Sequence, residues 1–439
     1  MFSVSLIYVV ISLLLIVVGL INRNMVPAGA DYLFYVLIGI VSLKTMIGNR
    51  EFSFPRYYIA IICTLLAVIL LNAFVSPYSP GLIYIVIAVV VTMIPFAVFL
   101  LSYNIRFTKK EINAFIDLII LVACVLSCLI YVENILTSPS KIDSIMASDI
   151  FMIGFIASLC SQSIILSLAR YHVTRRKRYI YAILFFIVTI LLLNQLKAIA
   201  GSMIAIVAYL FFMTRMSKGL KVVVLAAGVA VFSTWIALSG SLMVEKLAKY
   251  TEQIVDEEAG DGIARIALYV QSVEMAKDFF PLGTGPGTYG SIPVNLIYSD
   301  VYYDYELADI WGLAPNSRMN FKMDTHWASV LGEMGVLGLM IYLVLLTYPV
   351  TALTAHWRRR RDRVSDDSPD DRAYLFYVSC GTVVMMVESF VLALPGRSSF
   401  IILYAGLTAL MVRNLYTSES LLEHEDAAED GDSNEEGVY

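Results

Sequence analysis

Long apolar runs dominate this chain, and its polar residues are concentrated between them. About 20 consecutive apolar residues are enough for a helix to cross the hydrocarbon core of a membrane. Strands could cross only with alternating polarity and in a closed barrel, which this pattern excludes. We therefore predict an all-α polytopic membrane protein of about 12 transmembrane helices, at 4–22, 31–48, 57–75, 81–102, 112–135, 150–169, 179–195, 198–214, 220–239, 327–353, 373–394 and 398–415.

The apolar stretch 179–214 is too long for a single crossing, because a helix of that length would extend about 54 Å. Its only polar interruption is the sequence NQLK at 194–197. We expect a helical hairpin that turns there and places Lys197 near the outer membrane surface.

Composition and charge support this topology. Of the 439 residues, 59% are hydrophobic and 15% are charged, and the mean hydropathy is +0.76, whereas soluble domains are about a quarter charged. With the N-terminus inside, the inner loops hold 21 Lys and Arg residues and the short outer loops only four. Loops rich in Lys and Arg stay in the cytoplasm. Both termini are therefore predicted to be cytoplasmic.

The predicted helices divide the chain into four parts. Helices one to nine occupy 1–239, a large polar outer loop occupies 240–325, and helices ten to twelve occupy 326–415. The remaining segment, 416–439, is acidic and typical of a disordered cytoplasmic tail. Loops as long as the outer one are usually functional. Apolar spacing within it predicts helices at 241–256 and 263–279.

Composition also limits the partners that we expect. The run of four arginines at 358–361 lies between apolar spans, where it sets orientation in the membrane rather than binding nucleic acid. All five cysteines fall in apolar runs, so we expect neither a disulfide framework nor a zinc site. We expect no cofactor and no metal.

Five residues on the outer side carry candidate chemistry. Lys197 lies where a charge is costly, and Arg265 lies in the first turns of a predicted helix, where an anion would satisfy both the guanidinium and the helix N-terminus. His326 is suited to proton transfer near neutral pH, and Asp324 is the acid that flanks it. Glu333 is a carboxylate within an apolar helix and so a third candidate catalytic group.

A glycine-rich turn, PLGTGPGTYG at 281–290, lies in the same loop. Its glycines fit a sharply turning backbone with amides free to face an anion, and the alternative is an ordinary tight connector. Tyrosines nearby are typical of a membrane interface. The candidate residues of this loop are Gly283, Gly285, Gly287, Tyr289, Tyr302 and Arg318.

Taken in order, these motifs resemble the O-antigen polymerase/ligase family of bacterial membrane glycosyltransferases, polymerase-like members in particular. The resemblance covers roughly 180–345 and is carried best by DFFPLGTGPG at 278–287 and EMGVLGL at 333–339. It implies a metal-independent, GT-C-type enzyme that uses undecaprenyl-diphosphate-linked glycans. Lys197 and Arg265 would bind the donor diphosphate, and His326 would deprotonate or orient the acceptor hydroxyl. The candidate residues of the loop would contact the glycan, because tyrosine rings suit the apolar faces of sugars.

Two positions depart from the family pattern. Relatives usually have Ser-Arg in the hairpin and His-Asn before the last large helix, where this chain has Leu196-Lys197 and His326-Trp327. Lysine offers a point charge where arginine would hold two phosphate oxygens. Lys197 is therefore the weaker of the two predicted diphosphate contacts. The string DTHW at 324–327 resembles polymerase-like members that keep the acid and the aromatic without the histidine, which implies Asp324 as the alternative proton acceptor.

The resemblance implies a polysaccharide polymerase for O-antigen, capsule or exopolysaccharide. It would join undecaprenyl-diphosphate-linked repeat units at the periplasmic face of the bacterial inner membrane. Two alternatives stay open, namely a ligase that moves finished glycan onto lipid A core or protein, and a secondary transporter. The expected partners are the lipid-linked oligosaccharide and membrane lipid, with a flippase and a chain-length regulator as further candidates.

Overall fold

A computed structural model describes residues 4–21, 30–49, 54–137, 150–214, 260–315, 320–363, 368–391 and 398–415, with a few single positions between these ranges. The described residues are mostly helical, and the only β pairing among them is an isolated bridge between Ile21 and Phe151. The prediction of an all-α protein is confirmed.

The helices, numbered here in chain order, are α1 Val4–Val18, α2 Ala30–Asn49, α3 Arg56–Val75, α4 Leu82–Tyr103, α5 Lys109–Thr137, α6 Ile153–Thr174, α7 Lys177–Leu193, α8 Leu196–Met213, α9 Gly260–Asp278, α10 Ile292–Leu296, α11 Val301–Asp304, α12 His326–Arg363, α13 Pro369–Glu388 and α14 Ser399–Leu415. Two of them, α8 and α14, contain a π-helical turn, at Tyr209–Met213 and Ile402–Gly406.

Seven of the described helices are long and apolar enough to cross a membrane. They are α2, α3, α4, α5, α6, α8 and α12, and α1 and α14 are shorter apolar helices. The chain is thus a multi-pass membrane protein. Eleven of the twelve predicted spans coincide with a described helix. The segment 220–239 falls almost entirely outside the described residues, as do 241–256 and 416–439, so the total of twelve crossings and the side of the termini stay predictions.

Helix α6 is the central helix of the bundle. Of the 18 residues in its most apolar stretch, 89% are buried. The helix packs against α5, α7, α8 and α13. Its sequence explains this position, because it carries small hydroxyl side chains where the other helices carry bulky apolar ones. A helix enclosed by protein can hold polar groups that lipid would exclude.

The two ends of the bundle differ in chemistry. At one end Asp117 pairs with Arg170 at the C-terminal end of α6 (2.9 Å) and with Arg178 at the start of α7 (2.8 Å). Lys109 at the start of α5 pairs with Asp371 at the start of α13 (2.9 Å). The opposite end, where α6 and α12 begin and α13 ends, is called the loop end below.

The described part of the outer loop folds around a hydrophobic core of its own. Its buried members are Ala264, Leu268, Met275, Tyr289, Val294, Val301, Tyr302, Leu307 and Leu313, which pack with Ala328 of α12. Helix α9 supplies three of them and confirms the helix predicted at 263–279. The loop is therefore a folded unit that rests on the beginning of α12.

Candidate functional site

The predicted helical hairpin is confirmed. Helix α7 ends at Leu193, Asn194 adopts a left-handed conformation (φ 50°, ψ 46°), and α8 begins at Leu196. Asparagine tolerates this conformation better than most residues. Lys197 thus lies in the first turn of α8, half-buried, with its Nζ 5.9 Å from the centre of the Phe155 ring at the start of α6.

A buried carboxylate interacts with Lys197. Glu388, at the end of α13, has no exposed surface, and it interacts electrostatically with Lys197 and closely with the hydroxyls of Ser158 and Ser161. Gly201 allows this approach, because a Cβ atom there would lie 2.5 Å from Glu388 Oε1. Sequence reasoning missed Glu388. The available signal was a single carboxylate within the apolar run 373–394.

Arg265 forms a salt bridge with Asp324. Its guanidinium donates a 2.8 Å hydrogen bond to Asp324 Oδ2, and the two side chains are 22% and 27% exposed. Both groups therefore remain within reach of a ligand at the surface. The contact joins α9 to the residues just before α12, so two predicted site residues lie together.

His326 is the first residue of α12, which begins one residue before the predicted span 327–353. Its backbone N–H donates to the carbonyl of Ser389 (3.4 Å), and its ring packs against Trp327 and Tyr342, at centroid distances of 5.1 and 5.4 Å. Its Nε2 is buried, and no described residue forms a hydrogen bond with it. Buried nitrogens are rarely left in this condition outside functional sites.

These contacts place the candidate groups at one end of the bundle. Glu388 interacts with Lys197 and directly precedes Ser389, whose carbonyl contacts the start of α12. Asp324, two residues before His326, holds Arg265. Two cations, a histidine and two carboxylates from four segments of the chain thus lie at the loop end.

Glu333 belongs to a separate arrangement. Helix α12 is broken at Gly335, whose backbone (φ 63°, ψ −168°) is not helical, and glycine is the residue that tolerates such a conformation. The break frees the Gly332 and Glu333 carbonyls, which accept hydrogen bonds from the amides of Thr284 (2.8 Å) and Gly285 (3.1 Å). The two sequence motifs are therefore one interlocked unit.

The glycine-rich turn also encloses the Glu333 side chain, which is 2% exposed. The amide of Tyr289 (2.9 Å) and the hydroxyl of Ser291 (2.5 Å) donate to its Oε1, and the amides of Gly287 and Thr288 also bind the carboxylate. The expectation that these amides are free to face an anion was wrong. They face an anion, but it is the carboxylate of this chain.

Comparison with known protein families finds a match for the part of the chain that contains these residues. Residues 180–343 match a family model described as O-antigen ligase. This segment is therefore similar to the O-antigen polymerase/ligase family. It contains the hairpin, the described part of the outer loop and the first half of α12, and so includes every candidate residue except Glu388. A search of curated proteins finds no match.

Within this family segment, two predicted glycan contacts are corrected. Tyr289 and Tyr302 have no exposed surface. The Tyr289 hydroxyl donates to the Leu268 carbonyl (2.5 Å), and the Tyr302 hydroxyl accepts from the Gly290 amide (3.2 Å). Burial also raises the pKa of Tyr302. Both rings form the core of the loop and offer no face to a sugar.

Other side chains of the loop remain accessible. Tyr303 is 55% exposed and Trp311 is 48% exposed. Near them, Lys322 is buried under the Tyr298 ring, with its Nζ 4.9 Å from the ring centre, and burial lowers the pKa of its ammonium. The glycine-rich turn, which forms hydrogen bonds to the broken part of α12, contains Gly283, Gly285 and Gly287. Arg318 lies outside the described residues.

Proposed function

We propose that this protein transfers glycans from an undecaprenyl-diphosphate carrier. It would act as a polymerase at the periplasmic face of the bacterial inner membrane, with about twelve transmembrane helices and both termini in the cytoplasm. The acceptor is a sugar hydroxyl of a second lipid-linked repeat unit. A flippase would deliver these units, and a chain-length regulator would limit the product.

The observation that carries this proposal is that Lys197, Arg265, Asp324 and His326 all lie at the loop end. A donor diphosphate has to be bound by cations, and a polyprenyl chain keeps it at the membrane surface. Lys197 lies in the first turn of a transmembrane helix, and Arg265 lies in the second turn of the loop helix α9. The two cations thus approach this surface from the membrane and from the loop.

The chemistry follows from this arrangement. The acceptor oxygen bonds to the anomeric carbon of the donor sugar, and the bond from that carbon to the diphosphate oxygen breaks. The bonding electrons leave with the diphosphate, so cations that bind it more tightly in the transition state lower the barrier. The acceptor proton passes to His326 Nε2, and Asp324 holds the Arg265 guanidinium.

Glu333 and the glycine-rich turn take no part in the transfer in this proposal. The Glu333 carboxylate is enclosed by at least three backbone amides and the Ser291 hydroxyl, which leaves no room for a reacting group. Its role is to fix the loop on the broken helix α12. Preorganised surroundings of this kind keep reacting groups in their productive geometry.

A polymerase must bind an acceptor that is itself a glycan, and the exposed rings of Tyr303 and Trp311 offer such a surface. A ligase is the second candidate, because the matching family model is described as O-antigen ligase. The two activities use the same donor and differ in the acceptor alone.

The test is the size distribution of surface glycan and lipid-linked intermediates in a strain that lacks the gene. Loss of polymerase activity would leave single repeat units, and re-expression of the wild-type gene would restore the longer products. Full-length polymer that accumulates on undecaprenyl diphosphate would identify a ligase instead. An unchanged glycan profile would contradict both activities.

A further inference from the structure

One lysine of the outer loop has no role in the transfer described above. Lys322 is only 6% exposed, and its Nζ lies 4.9 Å from the centre of the Tyr298 ring. Among the described residues, none forms an ion pair or a hydrogen bond with this ammonium. Lysine is seldom buried without a partner of opposite charge. Lys322 therefore holds a positive charge for which the described part of the chain provides no opposite charge.

The neighbouring acids of the loop do not compensate this charge. Asp309 acts electrostatically on Tyr298, whereas the pKa of Lys322 is lowered by burial alone. Asp324, two residues further on, pairs with Arg265. A carboxylate beside Lys322 would favour the charged form and raise its pKa again. Because the ammonium has already lost much of its contact with water, it is prepared to bind an anion from outside the chain.

The groups around Lys322 are of the kinds that bind sugars. Asn320 accepts a hydrogen bond from the Lys322 backbone amide (3.1 Å) and donates one to Asn295 (2.7 Å), and both asparagines are exposed. The Tyr298 ring also packs edge-on against the exposed ring of Tyr303, at a centroid distance of 5.2 Å. Amides can bind sugar hydroxyls, and tyrosine rings suit the apolar faces of sugars. The lysine thus lies among exposed amide and aromatic groups of the loop.

Lys322 is also close in the chain to the proposed site. The turn that contains it closes with a hydrogen bond from the Asp324 amide to the Phe321 carbonyl (3.1 Å). The Asp324 side chain holds Arg265, a proposed diphosphate contact, and His326, the proposed proton acceptor, follows two residues later. A glycan bound at Lys322 would therefore lie on the loop, beside the segment that carries the reacting groups.

The position of Lys322 indicates which part of the substrate it meets. In the proposed function the donor diphosphate is bound at the membrane surface by Lys197 and Arg265, whereas Lys322 lies in the loop. Resting on that function, we propose that Lys322 binds a carboxylate of the acceptor glycan, so that the repeat units joined by this protein contain an acidic sugar such as a uronic acid. The ion pair positions the acceptor and takes no part in bond making. Complementary charge of this kind contributes specificity.

The test uses the lipid-linked repeat units that accumulate in a strain without the gene. Sugar analysis of these units should find a sugar that carries a carboxylate. Purified full-length wild-type protein should lengthen the native units. Units whose carboxylates have been reduced to alcohols should need about a tenfold higher concentration for half-maximal rate, because a charge-assisted contact is lost. Lys322→Met should need this higher concentration for both kinds of unit.

A second readout and two further variants act as controls. Lys322→Met removes a buried charge that lacks a partner, so its melting temperature should be equal to or higher than that of the wild type. Lys277→Met changes an exposed lysine of α9 that pairs with Glu274, and it should behave as wild type with both kinds of unit. If Lys322→Met does not fold, Lys322→Gln provides the same comparison.

The outcomes separate this inference from the proposed function. Three results would overturn the role of Lys322 alone, namely native units without a carboxylate, equal use of native and reduced units by the wild type, or undiminished preference for native units in the Lys322 variants. If the wild type does not lengthen native units at all, the proposed function is overturned as well.

Discussion

The amide of Tyr289 donates a 2.9 Å hydrogen bond to the carboxylate of Glu333, 44 residues further along the chain. This contact closes the glycine-rich turn around the break in α12. Asn72 of α3 joins the same unit through a hydrogen bond to the Glu333 carbonyl (2.5 Å). The two sequence motifs therefore hold the loop, α12 and α3 together, and His326, which we propose as the proton acceptor, lies at the start of the same helix α12.

Replacement of Glu333 by Ala should destabilise the protein. The change leaves the amide of Tyr289 and its neighbours without an acceptor, and each buried donor left in this way costs about 1–3 kcal/mol. The melting temperature in detergent should fall by roughly 5 °C or more. Glu274→Ala, an exposed carboxylate in α9, should leave it unchanged. Normal stability with lost transfer would instead make Glu333 a catalytic group.

Replacement of Gly335 by Ala should be at least as damaging. A Cβ there would lie 2.3 Å from the Leu282 carbonyl carbon, and the backbone conformation at this position costs a non-glycine residue about 1–3 kcal/mol. Gly48→Ala is the matched control, because its Cβ would meet nothing within 4 Å in helix α2. The melting temperatures of both variants provide the measurement. If Gly335→Ala is as stable as Gly48→Ala, the non-helical conformation at Gly335 is contradicted.

Replacement of Arg265 by Ala should abolish transfer without unfolding the protein. Its guanidinium is 22% exposed, and loss of one group that stabilises transition-state charge costs about 100-fold or more in rate. Arg265→Lys should retain part of the activity. Lys277→Ala, on the same helix and exposed, should retain all of it. The rate of glycan transfer by membranes of each variant provides the measurement, and full activity of Arg265→Ala would remove this residue from the site.

Substitutions at two neighbouring tyrosines should have different effects, one on the stability of the protein and the other on glycan binding. Tyr302→Ala removes a fully buried ring from the loop core, and such a change costs about 3–5 kcal/mol. Tyr303→Ala removes an exposed ring and should keep stability while it raises the acceptor concentration needed for half-maximal rate. Unfolding curves and acceptor titrations distinguish the two effects. The reverse pattern would contradict the assignment of Tyr302 to the core.

Local patterns were sufficient to predict most of the fold. Each apolar run is a helix wherever the structure describes it, because burial of a continuous apolar surface is decided within the run. The turn after Leu193 was predicted for the same reason, since its polar residues interrupt a stretch too long for one crossing.

Contacts between distant segments were not predictable in this way. Nothing in the local sequence shows that the amides around Tyr289 would be taken by Glu333, or that Gly201 would let α8 approach Glu388. The glycines indicated a close approach but not its partner. Tyrosine is a residue type that suits sugar binding, and only the burial of Tyr302 in the structure assigns it to the core.

The most direct test of the proposed transfer uses the purified protein in vesicles with undecaprenyl-diphosphate-linked repeat units. The wild type should lengthen the glycan and release undecaprenyl diphosphate without any ion gradient, and Arg265→Ala should do neither. Movement of labelled substrate across the vesicle membrane with no change in glycan length, by wild type and variant alike, would contradict the enzyme and indicate a transporter.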